Sequence, residues 1–496
     1  MRTLLAAVLL ALLLSAAAAL AAPADPPADP AFDRFFRDET LRVDYYHTGD
    51  AKDELFALDR VWRQGAWAGS RTHLIDRLGV GSYIARAYDA EGGALLWSHG
   101  FDCYFGEYRT TDDAGKGVKR TYQESVLLPL PKAKIRFAIE ARGRDGQVRE
   151  LFSTGIDPNA WTVRRDALCA GVKVVQAAHH GDPHAMVDVA ILAEGYTAKE
   201  EAKFRRDLAR FTKLMFAHEP YKSLAGRFNV WGVFKPSQES GCSEPSRGIH
   251  RNTALGTTFD SLGSERYLLT EENRALRDLA AHAPYDILYI MVNQERYGGG
   301  GIYNLYCTFV TGNQWSDYVF LHEFGHAFAG LADEYYTSST AYNDFYPRGI
   351  EPVEANITAL LDPARPKWAD LMAAGTPAPT PWEKAGFDEM DMAYQKIRTE
   401  LNEKIASRMR DGAPAAEVEQ LKADSEAKSL EHAKKVDAYL AASKSAGKVG
   451  VYEGAGYAAN GLYRCQVDCI MFSKGDKPFC AACARQIARV VEQYSE

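Results

Sequence analysis

Two histidines and a glutamate near the middle of the chain have the spacing that a metal-dependent hydrolase needs. If the segment Phe320–His326 is helical, His322 and His326 lie one turn apart on one face, as two ligands of one metal must, with Glu323 beside them. Neutral imidazoles are good zinc ligands, and bound zinc lowers the pKa of a water molecule from ~16 toward ~7. The adjacent carboxylate can then take the proton of that water. These residues therefore predict one catalytic Zn²⁺ with Glu323 as general base.

The residues around this motif favour a buried helix that ends close to the metal. Ser316 is a candidate helix cap, and an apolar run follows it. Gly330 is where a left-handed residue can end the helix and turn the chain back. This turn brings Asp333 and Glu334 within reach of the histidines. The simpler alternative is a chance match on a polar helix face, and the agreement of these neighbouring signals argues against it.

The segment Gly330–Asp333 resembles the metzincins, zinc peptidases in which a glycine reverses the chain and a third ligand follows three residues later. The resemblance implies Asp333 as the third ligand. Glu334 is the fallback, because three residues rather than the usual two separate the second histidine from the glycine. Glu351 and Glu354 suit a thermolysin-like site poorly, because nearby prolines oppose the helix that such a third ligand needs.

Metzincins also have a methionine-containing turn beneath the metal, and Asp468–Phe472 is the candidate here, with Met471 as the methionine. A single methionine is more often a filler of the core, but this one follows the motif and precedes a helix-like final segment. In some metzincins a tyrosine two residues after this methionine assists the transition state, and here that residue is Ser473. The tyrosines that remain as candidates for stabilising the oxyanion are Tyr463, Tyr335 and Tyr336.

Further segments extend the likeness beyond the motif. They are Tyr346-Pro347, Glu351-Pro352, Asn356–Thr358, Thr380–Lys384 and Glu453–Met471. Together with the motif they resemble the bacterial IgA-specific metalloendopeptidase family over most of residues 185–496, and more weakly over the N-terminal region. The resemblance implies a zinc-dependent endopeptidase acting on proteins or peptides. It does not imply that this member cuts immunoglobulin.

The start of the chain predicts export. Arg2 precedes the apolar stretch Leu4–Leu20, and Ala19–Ala21 offers a small-x-small cleavage site. Residues 1–21 are therefore predicted to be a signal peptide, followed at 22–37 by a leader rich in proline, alanine and aspartate. No later stretch approaches the ~18 consecutive apolar residues of a membrane span. The mature protein is expected to be secreted or periplasmic, with no membrane span.

Composition predicts an ordinary globular protein. The 496 residues are 46% hydrophobic and 25% charged, which suits two or three domains. The protein has a formal net charge of −8 and therefore lacks the basic surface of a nucleic-acid-binding protein, so no nucleic acid is expected as a partner.

The eight cysteines, an even number in a chain predicted to be exported, favour disulfides. The C-terminal group Cys465, Cys469, Cys480 and Cys483 has a spacing that also suits a structural zinc. Disulfides in this group would hold the methionine turn under the metal.

Changes in hydrophobic periodicity divide the chain. Residues 38–170 alternate like half-buried strands and predict an all-β sandwich accessory domain, with a linker at 171–184. Residues 185–496 predict an α/β zinc peptidase domain with a mainly parallel sheet. Its predicted strands and helices are Val187–Leu192, Ala198–Phe216, Phe228–Phe234, Glu271–His282 and Asp286–Val292. Residues 383–448, rich in Ala, Glu, Lys and Leu, predict a helical hairpin insertion built from Asp388–Arg410 and Ala415–Ser445.

A run of four glycines, Gly298–Gly301, lies just before the motif and predicts a mobile or closely approached loop. The residues after it, Ile302–Val310, could form an edge strand next to the zinc helix. Such a strand binds an extended peptide by adding it to the sheet. Ile302, Tyr303 and Asn304 are the candidate substrate-binding residues.

Two classes of function fit the sequence. The first is a secreted zinc endopeptidase in which His322, His326 and Asp333 hold the metal and Glu323 activates water. The alternative is a non-catalytic binding or adhesion protein with a structural metal site. Glu323 separates the two, because a structural site has no use for an unligated carboxylate beside an open coordination position.

Overall fold

Two antiparallel sheets and one mixed sheet contain most of the strands of the protein. The computed structural model describes residues 28–337 and 345–495. The predicted signal peptide, residues 1–21, and the first part of the predicted leader, residues 22–27, lie outside the described residues. Within the described ranges, no helix combines the length and the apolar character that a membrane crossing requires.

The N-terminal part is made of strands with three short helices. In chain order its elements are α1 (Phe32–Phe35), β1 (Phe36–Gly49), β2 (Glu54–Arg63), β3 (Tyr83–Asp89), β4 (Leu95–Phe101), α2 (Tyr104–Tyr108), α3 (Asp112–Gly115), β5 (Arg120–Pro131), β6 (Ile135–Arg142) and β7 (Val148–Ile156). One sheet has the order β2-β1-β5 and the other β4-β3-β6-β7, and neighbouring strands are antiparallel in both. The sheets share a core: the Phe56 ring of β2 lies 6.2 Å from the rings of Tyr83 on β3 and Phe152 on β7.

The C-terminal part alternates strands and helices. Its elements are β8 (Lys173–Ala178), β9 (Val187–Glu194), α4 (Glu201–Met215), β10 (Phe228–Phe234), α5 (Asn273–Ala280), β11 (Ile287–Val292), β12 (Gly299–Ile302), β13 (Tyr306–Val310), α6 (Ser316–Ala329), β14 (Ile357–Thr358), α7 (Lys384–Arg410), α8 (Ala415–Ala441), β15 (Tyr452–Ala455), β16 (Ala458–Arg464) and α9 (Ala481–Tyr494). The main sheet has the order β12-β13-β11-β9-β10-β8, and β14-β16-β15 form a small separate sheet. The four central strands of the main sheet are parallel, and the two edge strands are antiparallel to their neighbours.

The main sheet is covered on both faces, which explains the continuous apolar sequence of its central strands. Along β9, Val189 and Ile191 pack with α4, α6 and α9. Ala190 and Leu192, which point to the opposite face, pack with α5 and with the N-terminal sheets. The N-terminal part therefore takes the place of an outer helical layer on that face.

Residues 171–184, predicted as a linker, contain a strand of the main sheet. β8 lies antiparallel to β10, with Val174 opposite Val233. Most of β8 is exposed or half-buried, so its hydrophobic pattern is weak in the sequence. The C-terminal part of the structure therefore begins before residue 185.

Two helices of 27 residues each, α7 and α8, are joined by a turn of four residues. They pack against each other, and an ion pair of 2.7 Å between Arg408 and Glu417 closes the turn end. α7 begins at Lys384, four residues before the predicted start at Asp388, and α8 ends at Ala441 instead of Ser445.

The eight cysteines all lie within the described ranges, and each is a free thiol. The expectation of disulfides is therefore not supported. In the C-terminal group the thiols surround a buried carboxylate, with sulfur atoms 3.4 Å and 3.9 Å apart.

Helix α6 packs directly onto the edge strand β12, and the glycines of β12 allow this close approach. A Cβ atom on Gly301 would lie 2.5 Å from the carbonyl oxygen of Glu323 and 2.9 Å from the Cβ atom of His326. A Cβ atom on Gly299 would lie 2.6 Å from a methyl group of Val319. The glycine run predicted as mobile or closely approached is thus a point of close packing.

We expect Gly301→Ala to lower the free energy of unfolding by about 1–3 kcal/mol, because the added methyl group clashes with the backbone of α6. Chemical denaturation measures the change. Gly155→Ala is the matched control, because a Cβ atom on this exposed strand residue meets nothing within 4 Å. Equal stability of the two variants would contradict the close contact between β12 and α6.

Candidate active site

The predicted metal ligands are carried by α6 and by the turn that follows it. α6 begins at Ser316, the predicted cap, while Trp315 occupies the cap position and its N–H group donates to the Asn313 side chain. The helix ends at Gly330, which has the left-handed φ of 57°. The N–H groups of Gly330 and Leu331 close the helix by donating to the carbonyls of His326 and Gly325, at 3.0 and 3.1 Å. The predicted chain reversal is therefore present.

Three potential ligand atoms converge at this reversal. The Nε2 atoms of His322 and His326 are 3.1 Å apart, and they lie 3.1 and 3.2 Å from Oδ1 of Asp333. Ligand atoms ~2.0–2.2 Å from a tetrahedral zinc ion lie roughly 3.3–3.6 Å from one another, which is close to these separations. The structure therefore brings Asp333 to the two histidines.

The hydrogen bonds of the imidazoles place the single proton of each neutral ring on Nδ1. The Nδ1–H group of His322 donates to the carbonyl of Ile470 at 3.0 Å, and that of His326 donates to the carbonyl of Leu331 at 2.6 Å. Since each neutral ring carries one proton, the two Nε2 lone pairs face Oδ1 of Asp333. That oxygen is buried and has no hydrogen-bond donor among the described residues. Three electron-rich atoms pointing at one another require a cation, so this donor set fits a metal.

Electrostatics of the site also favour a bound cation. Burial lowers the pKa of His326, but the neighbouring Asp333 carboxylate outweighs it and raises that pKa to about 9. Burial raises the pKa of Asp333, and the two imidazoles outweigh it, so this pKa lies well below its usual range. The pocket thus stabilises one positive charge, which a proton or a metal ion can supply.

Glu323 lies beside the two Nε2 atoms and Oδ1 of Asp333, but it is not one of these three converging ligands. A carboxylate oxygen of Glu323 and ligand atoms of the two histidines lie within 4.8 Å of one another. Burial raises the pKa of Glu323, and His322 and His326 partly oppose the shift. A carboxylate with a raised pKa is a better proton acceptor at neutral pH.

Asp333 is held by a residue that the sequence did not single out. The Tyr457 hydroxyl donates to Oδ2 of Asp333, and the N–H group of Gly456 donates to its carbonyl at 3.0 Å. Tyr457 lies in the turn between β15 and β16, 124 residues after Asp333. Its segment, Glu453–Met471, carried part of the family likeness, but no local spacing pointed to this tyrosine.

Glu334, the fallback ligand, points away from the histidines. Its Oε1 atom lies 3.4 and 3.3 Å from the sulfur atoms of Cys480 and Cys483. Its N–H group donates to the carbonyl of Met471 at 2.8 Å. The two adjacent side chains therefore point to opposite sides of the chain, Asp333 toward the histidines and Glu334 toward the cysteines.

Met471 lies beneath the histidine motif. A Cβ atom on Gly325, between the two histidines, would lie 2.9 Å from Sδ of Met471. The preceding carbonyl, that of Ile470, accepts the hydrogen bond from His322. The turn around Met471 thus supports the first histidine from below through both packing and a hydrogen bond.

Of the three candidate tyrosines, the structure brings Tyr335 to the predicted metal ligands. The Tyr335 ring is nearly parallel to the His322 ring at 6.4 Å, and its oxygen accepts a hydrogen bond of 2.9 Å from Arg266. Tyr336 instead donates to Asp388 of α7 at 2.6 Å. Tyr463 is half-buried on β16 opposite Thr358 and Glu453, and it is outside the described residues that line the cleft.

The cleft of about 130 Å³ over the histidines is lined by both parts of the protein. Glu107 and Asp102 of the N-terminal part contribute to one wall, and burial raises the pKa of Glu107 to about 7.

Of the predicted substrate-binding residues, Ile302 and Tyr303 line the cleft, but the carbonyl of Tyr303 accepts a hydrogen bond of 2.9 Å from the N–H group of Asp102. Asn304 lies in the turn after β12, where its amide group donates to the carbonyl of Gly100 at 2.7 Å. Tyr303 and Asn304 therefore connect the two parts of the chain. The prediction that they belong to an edge strand was wrong, because they lie in the turn between the edge strand β12 and the inner strand β13.

Comparisons with known proteins agree with this geometry. A family model described as IgA Peptidase M64 matches residues 175–491, and one described as Peptidase M64 N-terminus matches residues 31–153. A search of curated proteins gave no match. The first match spans more than half of the 496-residue chain and confirms the predicted resemblance. The chain therefore belongs to the IgA Peptidase M64 family and is a peptidase with protein or peptide substrates.

Proposed function

We propose that the protein is a secreted, zinc-dependent endopeptidase with Glu323 as its general base. The observation that carries the proposal is the convergence of the Nε2 atoms of His322 and His326 with Oδ1 of Asp333 at the floor of a cleft. The half-buried Glu323 carboxylate beside them argues against a purely structural metal and a non-catalytic adhesion role. Secretion is proposed from the predicted signal peptide at residues 1–21.

The proposed chemistry uses the residues in distinct roles. A zinc ion held by His322, His326 and Asp333 supplies Lewis acidity that activates water and polarises the peptide carbonyl. Glu323 accepts the proton of the attacking water and passes it to the leaving amine. Tyr335 is proposed to stabilise the developing oxyanion with its hydroxyl group, because this group lies beside the Asp333 carboxylate and accepts a hydrogen bond from Arg266.

The proposed substrate-binding edge is the outer side of β12 at Gly301. The outward-facing groups of Gly299 are occupied, since its N–H group donates to Arg266 at 3.2 Å and its carbonyl accepts from Leu268 at 3.3 Å. A strand repeats every two residues, so the N–H and C=O groups of Gly301 point to the same side. Gly301 lines the cleft, and an extended peptide pairing there would cross above the histidines.

The proposal extends to the architecture. The ligand-bearing helix, the left-handed Gly330 and Met471 below the histidines support a metzincin-like peptidase domain. The helices α7 and α8 are proposed to be a hairpin insertion in this domain, because they interrupt it between the small-sheet strands β14 and β15. Residues 38–170 are proposed to be a β-sandwich accessory domain, which supplies one wall of the cleft.

Glu323→Gln is expected to reduce kcat by about 10²–10⁴-fold, because the amide accepts no proton. The measurement is digestion of a peptide library followed by mass spectrometry, together with the metal content of both proteins. The variant should retain its zinc. Equal turnover by the two proteins would contradict Glu323 as the base.

Asp333→Ala is expected to lose one equivalent of zinc per chain, since two imidazoles alone hold the ion weakly. Tyr457→Phe should weaken zinc binding by about 10–100-fold, because it removes the hydrogen bond that orients the Asp333 carboxylate. Metal analysis after dialysis measures both. Asp317→Ala, which removes an exposed acid from α6, the helix that carries the two histidines, is the control. Full zinc retention in Asp333→Ala would exclude this residue as a ligand.

Tyr335→Phe is expected to lower kcat by about 10²–10³-fold with little change in KM or zinc content, because the hydroxyl acts in the transition state. Steady-state kinetics on one peptide substrate provide the measurement. Tyr463→Phe is the matched control on β16 and should keep full activity. A larger loss in the control than in Tyr335→Phe would return the oxyanion role to Tyr463.

A further inference from the structure

Four buried side chains form a second cluster of metal-ligand type behind the histidine site. Their ligand atoms lie within 4.8 Å of one another, and the four are Glu334, Cys469, Cys480 and Cys483. All four residues are at most 2% exposed. The cluster joins the segment after α6, the methionine turn and the start of α9. It is separate from the three atoms that converge on the other side of the chain at Asp333.

The distances in this cluster are those of ligands around one metal ion. The sulfur atom of Cys483 lies 3.4 Å from that of Cys480 and 3.9 Å from that of Cys469. Oε1 of Glu334 lies 3.4 and 3.3 Å from the sulfur atoms of Cys480 and Cys483. Thiolate and carboxylate ligands at ~2.3 and ~2.1 Å from a tetrahedral zinc lie roughly 3.6–3.8 Å apart. The observed values bracket this range.

The Glu334 carboxyl group requires a positive partner. Its Oε2 atom is buried and, within the part of the chain that the structure describes, accepts no hydrogen bond. Oε1 accepts a hydrogen bond of 3.1 Å from the neutral Asn356 amide. The buried Arg464 guanidinium donates to the carbonyls of Gly454 and Val467 instead, at 2.6 and 3.2 Å. A carboxylate buried among three thiols is costly unless a cation binds to it.

The backbone around Cys469 is arranged to stabilise a thiolate. The sulfur atom of Cys469 accepts hydrogen bonds from the N–H groups of Met471 at 3.4 Å and Cys480 at 3.2 Å. N–H groups around a ligand sulfur are the surroundings that orient and tune metal-bound cysteines. Cys480 precedes the 14-residue helix α9, and Cys483 lies in its first turn.

We propose that Glu334, Cys469, Cys480 and Cys483 bind a second, structural Zn²⁺ ion. Thiolates select zinc over harder divalent ions, and four protein ligands close the coordination sphere. Cys465 is left out of the proposed ligand set, because the group of ligand atoms within 4.8 Å of one another contains Glu334 and the other three cysteines. Bound there, the ion links Glu334 to the turn containing Met471, and so fixes Asp333 and the carbonyl of Ile470 relative to the histidines.

Metal analysis of the purified full-length protein tests the proposal. The wild type should contain two zinc ions per chain, and the double variant His322→Ala/His326→Ala should retain one. Cys469→Ser/Cys483→Ser should lose one, while Cys169→Ser, at a half-buried cysteine outside the cluster, should keep both. A wild type with one zinc that the histidine variant loses would overturn the second site and leave the proposed peptidase function intact.

Two further measurements remain decisive if the cysteine variant does not fold. Cobalt in place of zinc in His322→Ala/His326→Ala should give the near-ultraviolet thiolate-to-Co²⁺ charge-transfer absorption, which histidine and carboxylate ligands do not produce. The mass of the denatured, unreduced wild type should equal that of eight free thiols. Absence of the absorption, or a mass lower by two hydrogens for each disulfide formed within the group, would overturn the proposal.

Discussion

Three ligand-type atoms, two imidazole nitrogens and one carboxylate oxygen, lie 3.1–3.2 Å apart. The site favours one positive charge, which a proton or a metal ion can supply, and much of the surrounding structure holds the three atoms in place. The carbonyls of Ile470 and Leu331 fix the tautomers of the histidines, and Tyr457 fixes the carboxylate of Asp333. Removing any one of these supports would free a ligand to turn away.

Steric constraints at three glycines keep the ligand-bearing helix in place. Gly301 brings the edge strand into contact with the backbone of α6, and Gly325 leaves space for Met471 between the two histidines. Gly330 adopts the left-handed conformation that ends the helix and reverses the chain. None of the three positions has space for a larger side chain. The three glycines therefore allow α6 to pack against the sheet, the methionine turn and the N-terminal part at the same time.

The extended segment after the reversal joins two chemical environments. Asp333 turns toward the histidines, and Glu334 turns toward the thiols of Cys480 and Cys483. Successive side chains of an extended chain point to opposite sides, so adjacent acids can take part in two separate sites. The cleft above the histidines is in turn completed by the N-terminal part through Asp102 and Glu107. The region of the proposed catalytic metal is thus built from segments spread over more than 350 residues, from Asp102 to Tyr457.

The sequence by itself determined the features that depend on local spacing. His322 and His326 are one helical turn apart, and Glu323 follows His322 directly. Gly330 is a residue at which the helix that carries them can end. The order of strands and helices from Val187 to Val292 and the long helices α7 and α8 were also predictable, because periodicity is local. The family resemblance implied Asp333 with Glu334 as the fallback, and the tertiary structure turned Asp333 toward the histidines and Glu334 away from them. Only the tertiary structure showed that Tyr457 contacts Asp333 and that the four ligand atoms of the thiol cluster lie together. Those outcomes depend on contacts between distant segments, which no local pattern records.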